Sequence, residues 1–253
     1  MIPATEESHE GLEISIIVPS YNEDESLSKM VSEVIHVYLQ TGWSFEILVI
    51  DDGSTDRTVD VIEKLCKSHP ELVRYVRHRQ RLGMGAALIT GFANARGEVI
   101  VELPGDKQFD PCDTVQMVKI RGDFDGVIGM VKTESSFKLH RLQFLRTILS
   151  KGLRMLIRIM HPNIPSITGI LVVRRDLVDP SQLLCASPFA HLEILDNGRR
   201  RGARFTTAPN TVRPRIAGTT KVTNLSTIIS MVVDMIRLRW YYTVSSLGLR
   251  QLA

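Results

Sequence analysis

The sequence predicts an α/β domain with a mostly parallel central sheet flanked by helices, and three observations predict it. Short runs of β-branched and apolar residues alternate with segments whose apolar residues recur at helical spacing. The loops between them are short, which implies right-handed βαβ crossovers. Polar clusters rich in Asp, Glu, Ser and Gly follow three of the strand-like runs, where open α/β sheets bind ligands. With 253 residues and 43% hydrophobic content, the chain is long enough to bury one large core.

Residues 13–19 (EISIIVP) read as a buried strand, and 24–39 as a helix carrying Leu27, Met30, Val31, Val34 and Val37 on its apolar face. A strand over 45–50, a helix over 55–66, a strand over 72–77, a helix over 84–95 and a strand over 98–103 repeat the unit. A helix over 112–119 and a strand over 125–130 complete the first half. The second half is less regular, with a long helical pattern over 139–160 and a strand over 168–174. A helix over 188–201, a short strand over 204–207 and a final helix over 225–242 follow. No internal repeat, low-complexity tract or linker divides the chain, so one domain is expected over 1–222, with 223–253 as its amphipathic helical extension.

A net charge of +3 gives no ground for wholesale nucleic-acid binding. Cys66, Cys112 and Cys185 are odd in number, widely spaced and without a Cys-x-x-Cys pair, which argues against a disulfide framework and a structural zinc. The segment MIPATEESHEGLE lacks the basic start and apolar core of a secretory signal, and no uncharged apolar run reaches the roughly 18 residues of a membrane span. The expectation is a cytoplasmic protein whose membrane contact, if it has any, is peripheral.

DDGSTDRT closes the second strand. Asp, Gly and Ser suit a turn and a helix N-cap, but the apolar run FEILVI before them places the acids at the carboxyl edge of a parallel strand. An acid there can accept from the ribose or base of a nucleotide. PSYNEDE repeats the arrangement after the first strand: Pro19 fixes the chain, Tyr21 offers a ring face and Glu23 can accept hydrogen bonds. After the strand over 98–103, PGDKQFDP presents Asp106 and Gln108.

IIVPSYNEDESL, ILVIDDGSTDRT, LGMGAALITGF, ARGEVIVELPGDKQFDP and RIAGTTKV resemble, in order and spacing, the inverting family 2 glycosyltransferases of GT-A fold, a Rossmann-like single domain. The likeness is closest to the dolichyl- or polyprenyl-phosphate sugar synthases. It implies a nucleoside-diphosphate sugar donor, a divalent Mg²⁺ or Mn²⁺ and a lipid-phosphate acceptor. It further implies that Pro19, Tyr21, Glu23, Ile50, Asp52 and Asp106 hold the nucleotide, and that Asp106 and Gln108 stand at the metal and diphosphate. Hard oxygen ligands suit that role, because the ion bridges phosphates and neutralises a leaving group. The family's first metal acid is replaced by Pro104, and Glu102 stands two residues earlier. Arg215, Thr220 and Lys221 match the family's Arg-x-x-Gly-x-Ser-Lys loop, which covers the diphosphate as donor binds. FLRTILSKG maps the acceptor-phosphate residues onto Arg146 and Ser150; a second acceptor arginine appears as Val131, with Lys132 adjacent. Glu193 matches the acid of the family's Phe…Glu helix and joins Asp106, Arg215 and Lys221 as a catalytic candidate. Pro165 replaces one further acid.

The segment 139–160 alternates Arg146, Ser150, Arg154 and Arg158 four apart among leucines and isoleucines. Such a helix is either a solvated face or an interfacial helix drawn to anionic headgroups. The final helix, apolar on most sides and ending in Trp240, Tyr241 and Tyr242, fits a core or oligomer contact as well as a membrane surface. Three functions stay open: transfer to a lipid phosphate, transfer to a hydroxyl acceptor that needs a carboxylate base, and a silent homologue that binds a nucleotide or a partner.

Overall fold

The computed structural model describes residues 11–131, 152, 155–160, 169–213 and 225–246. The first half follows the expected alternation: β1 (Ile14–Ser20), α1 (Leu27–Leu39), β2 (Phe45–Asp51), α2 (Thr58–Ser68), β3 (Val73–Arg77), α3 (Met84–Asn94), β4 (Val99–Glu102), α4 (Pro111–Arg121) and β5 (Gly126–Val131). Then come β6 (Leu171–Arg174), two short 3₁₀ turns, α5 (Ala190–Arg200), β7 (Phe205–Asn210) and α6 (Leu225–Ser246). Residues 155–160, the end of the long helix expected over 139–160, are helical.

The seven strands form one sheet in the order β3-β2-β1-β4-β6-β5-β7. β1 pairs in parallel with β2 and β4, β2 with β3, and β5 with β7, whereas β6 runs antiparallel between β4 and β5. β1 and β2 are buried along their whole length, as continuous apolar runs covered on both faces require. One core joins the sheet to α1, α2 and α4 through Ile16, Val34, Ile47 and Met117; the other joins it to α3 and α5 through Ile17, Phe92, Ile194 and Leu195.

Boundaries at three elements differ from the sequence reading for physical reasons. Helices α1 and α2 start three residues later than expected, because the polar residues before them form turns that bond across to each other. β7 runs three residues beyond 207 and contains Pro209, which a strand paired only with β5 at the sheet edge accommodates. Among the described residues no helix is long and apolar enough to cross a membrane.

Candidate active site

The loops after β1 and β2 are fastened by crossed hydrogen bonds. Asn22, at φ 53°, donates its N–H to Ser54 Oγ at 2.9 Å and accepts the Thr55 N–H at 2.9 Å; the Glu23 N–H donates to Thr58 Oγ1 at 2.8 Å. Gly53 lies at φ 70°, and a Cβ there would sit 2.5 Å from the Gln80 carbonyl carbon, so only glycine fits. That close approach draws the β3–α3 loop into the crevice.

Asp52 is buried, and its oxygens accept the N–H groups of Leu82 and Gly83, each at 2.8 Å, and lie 2.9 Å from His78 Nδ1. Three of its roughly four acceptor sites are thereby filled, and the carboxylate shapes the start of α3. Arg81, beside these amides, lies over the Tyr21 ring with its guanidinium carbon 4.5 Å from the centroid. Asp51, fully buried, pairs with Arg77 Nε at 3.1 Å.

After β4, Pro104 and Gly105 lie against the end of β1. The Gly105 N–H donates to the Pro19 carbonyl at 3.1 Å, Ser26 Oγ donates to the Gly105 carbonyl at 3.0 Å, and a Cβ on Gly105 would stand 2.5 Å from Ser20 Oγ. Asp106 follows, only 8% exposed, with its Oδ1 accepting the Gln108 N–H at 3.1 Å. Glu102 does not take the place of the acid that Pro104 replaces. It is buried and hydrogen-bonded to His191 Nε2, whose Nδ1 faces the Pro188 carbonyl at 3.2 Å. Both ring nitrogens face acceptors, a geometry that suits imidazolium. Burial disfavours the charged ring, but the charge and hydrogen bond of Glu102 outweigh it and raise the His191 pKa above its ordinary value.

The opposite wall is residues 184–188 with α6. Glu193, fully buried, accepts the Leu184 and Cys185 N–H groups, each at 2.8 Å, and Asp234 Oδ2 accepts the Ser187 N–H at 2.9 Å. Burial pushes the Glu193 carboxyl up against the two amides that favour its charge, and Asp234 pushes it further up. Between the walls lies a cavity of about 440 Å³, lined among others by Tyr21, Glu23, Asp52, Arg81, Asp106 and Asp234, within the size range of small-molecule sites.

Of the residues expected from sequence, Pro19, Tyr21, Glu23, Asp52 and Asp106 share this cavity. Gln108 is half-buried beside Asp106, outside the cavity lining. Ile50 is fully buried in the core beneath, and Glu193 stands behind the wall, holding it rather than facing the cavity. Lys132, Arg146, Ser150, Arg215, Thr220 and Lys221, with Pro165, lie outside the described residues. Arg81 and Asp234 were not singled out as site residues by sequence. Arg81 had one signal, a cation directly before LGMG, and Asp234 another, a lone acid in an apolar helix.

Asp106 offers a single carboxylate, and among the described residues no group of three or more His, Cys, Asp or Glu could cage a metal. One hard oxygen ligand in a crevice suits Mg²⁺ or Mn²⁺ whose coordination is completed by substrate phosphates and water.

A mostly parallel sheet whose strand-end loops enclose an acid-lined cavity is the architecture of nucleotide-binding α/β enzymes. Residues 15–179 match the model for glycosyl transferase family 2, and the chain belongs to that family. It is 32% identical to a dolichol-phosphate mannosyltransferase of Pyrococcus furiosus, over 74% of this chain and 53% of the relative. It is also 32% identical to a dodecaprenyl-phosphate galacturonate synthase of Rhizobium johnstonii, over 52% of this chain and 39% of the relative. The chain thus spans about half the length, or less, of these relatives. Among solved structures it resembles glucosyl-3-phosphoglycerate synthase of Mycobacterium tuberculosis in complex with Mn²⁺, UDP-glucose and phosphoglyceric acid, with a TM-score of 0.67, 18% identity, and 90% and 80% of the two chains covered. That likeness concerns the fold, which is GT-A.

Proposed function

We propose that the protein transfers a hexosyl group from a nucleoside-diphosphate sugar to a polyprenyl or dolichyl phosphate at the cytoplasmic membrane face, inverting the anomeric carbon. The observation that carries this reading is the continuity of the cavity with an apolar stripe on α6. Ile229 and Val233 line the cavity, each 55% exposed, and Ile236 and Trp240 continue the spacing outside it at 54% and 64% exposed. A lipid phosphate matches that gradient, its charged head in the cavity and its chain along the stripe. The relatives named above, a dolichol-phosphate mannosyltransferase and a dodecaprenyl-phosphate galacturonate synthase, support the same acceptor class.

In this reading the Tyr21 ring takes the base, with Arg81 at its face, and Glu23 and the remaining acceptor site of Asp52 receive base or ribose donors. Asp106 with Gln108 would hold Mg²⁺ or Mn²⁺, which when bound neutralises the leaving diphosphate. An acceptor phosphate oxygen bonds to the anomeric carbon as the bond to the diphosphate breaks, and that electron pair leaves with the nucleoside diphosphate. A phosphate dianion is already nucleophilic, so the reaction needs positioning and charge stabilisation more than a strong base. Arg215, Thr220 and Lys221 are proposed to cover the diphosphate, and Arg146, Ser150 and Lys132 to grip the acceptor phosphate.

Asp234 favours a second reading. It is a carboxylate in the cavity wall, where a general base for a hydroxyl acceptor would have to stand. Incubation with radiolabelled UDP- and GDP-sugars, a polyprenyl phosphate and Mn²⁺ separates the two. Chloroform-soluble label is the expected product, exclusively water-soluble product favours the hydroxyl reading, and nucleotide binding without turnover across the donor panel marks a silent homologue. Asp106→Ala is expected to lower kcat/KM about 100-fold; undiminished transfer removes Asp106 from the metal and diphosphate.

A further inference from the structure

Asp106 and Gln108 sit on a loop held from both sides. On one side Pro104 and Gly105 are fixed to β1 and the start of α1 by the Pro19 and Ser26 hydrogen bonds. On the other side a short strip, residues 211–213, runs antiparallel to the loop. Val212 bridges Phe109, the Arg213 N–H donates to the Gln108 carbonyl at 2.6 Å, and the Thr211 N–H donates to Asp113 Oδ2 at 2.6 Å.

Side chains close this second side. Arg213 Nη1 donates to Glu33 Oε1 at 2.7 Å, and Nη2 donates to Asp110, the residue that caps α4. Lys107 Nζ lies 3.1 Å from Glu33 Oε2. Lys107 separates the two expected metal residues and is one of two described non-glycine residues at positive φ, at 58°. That conformation is unfavourable for a lysine and persists where surroundings impose it. Glu33 ties the loop to the strip, since its two oxygens face Lys107 from the loop and Arg213 from the strip. The two acids and two bases leave the cluster electrically neutral. Burial would raise the Glu33 carboxyl, but Arg213 and Lys107 outweigh it and hold the pKa below the usual carboxylate range.

None of these four charged side chains lines the cavity. We infer that Arg213, clasped by Glu33 and Asp110, is a positioning residue that holds the Asp106–Gln108 loop in the geometry for a metal-bound diphosphate. The need for such a clasp follows from Pro104. Between Pro104 and Gln108 the loop offers one carboxylate, Asp106, so binding there depends heavily on that carboxylate being correctly placed before the ion arrives. Arg213 suits the task because its planar fork presents separate N–H groups to Glu33 and Asp110 in a fixed geometry, whereas a lysine is a point charge on a flexible stem.

The inference rests on the crevice being a nucleoside-diphosphate site, and the test separates the two. UDP and GDP binding is measured by calorimetry with and without Mn²⁺ for the wild type, Arg213→Lys and Glu33→Gln, alongside melting temperatures. Both substitutions are conservative, and either one carries the test if the other does not fold. The expected result is a loss of about tenfold or more in Mn²⁺-dependent nucleotide affinity, with metal-free affinity unchanged. Arg174→Ala serves as the control: it breaks ion pairs with Asp125 and Asp176 outside the cavity, and is expected to lower the melting temperature without moving the Mn²⁺ dependence. If the wild type binds nucleotide and both variants keep full Mn²⁺ dependence while melting lower, the clasp is structural only and the inference is overturned. If the wild type binds neither UDP nor GDP, the reading of the crevice fails and the inference falls with it.

Discussion

His191 faces acceptors with both ring nitrogens, and this has a pH signature. Its folded-state pKa is raised, chiefly by Glu102 against the opposing effect of burial. The pair therefore stabilises the fold fully below the unfolded histidine value of about 6.5, and that contribution is lost as pH rises through the folded value. The melting temperature of the wild type, measured against His191→Gln, is expected to lose its advantage as pH rises from below about 6.5 through the raised folded value; a pH-independent difference sinks the assignment. Nothing in the sequence pairs these residues, because Glu102 ends a strand and His191 opens a helix 89 positions later. The place of Asp106 in the crevice was legible because its signal is local: an acid separated only by Pro104 and Gly105 from a strand-like run, inside a recognisable motif. Glu193 was singled out by its match to a helix motif, but its two backbone partners are made by a loop whose path the motif does not contain.

At the level of elements, the alternation of strands and helices from β1 to β5 was legible because each is coded by its own periodicity. The antiparallel insertion of β6 between β4 and β5 was not, since strand order is decided by contacts between segments far apart in the chain. The same non-local logic governs α5. Glu193 on its first turn fixes residues 184 and 185, and Asp234 on α6 fixes Ser187, so one cavity wall depends on two buried or half-buried carboxylates. Glu193→Gln keeps the size but replaces one acceptor oxygen by an NH₂ group facing a backbone N–H. Leaving that amide unsatisfied costs about 1–3 kcal/mol, enough to lower the melting temperature by several degrees and to speed hydrogen exchange at Leu184 and Cys185. Unchanged exchange at both amides contradicts the role given to Glu193.

For the molecule as a whole, the unresolved asymmetry is the surface of α6. One face packs inward through Met235 and Leu238, both essentially unexposed, while Ile229, Val233, Ile236 and Trp240 form the outward stripe. Met155 and Ile159, spaced one turn apart and each 66% exposed, add apolar surface on the helical segment 155–160, whose Ile157 and Met160 pack into the same core as Met235. Arg237 and Arg239 are exposed on α6 beside the stripe. In the proposed reading, this water-exposed apolar row next to cations would rest in the headgroup region of an anionic bilayer. It would bring the cavity mouth, where Ile229 and Val233 stand, to the depth at which a lipid phosphate resides. Burying an isoleucine or a tryptophan in that region is worth about 1.5–3 kcal/mol, so Ile236→Ser and Trp240→Ser are each expected to weaken binding to phosphatidylglycerol vesicles about tenfold or more. Their turnover on a water-soluble short-chain acceptor phosphate is expected to stay unchanged, because neither side chain lines the cavity. Vesicle co-sedimentation that is indifferent to both substitutions would leave α6 as a contact between protein surfaces and remove the membrane from the whole-molecule reading.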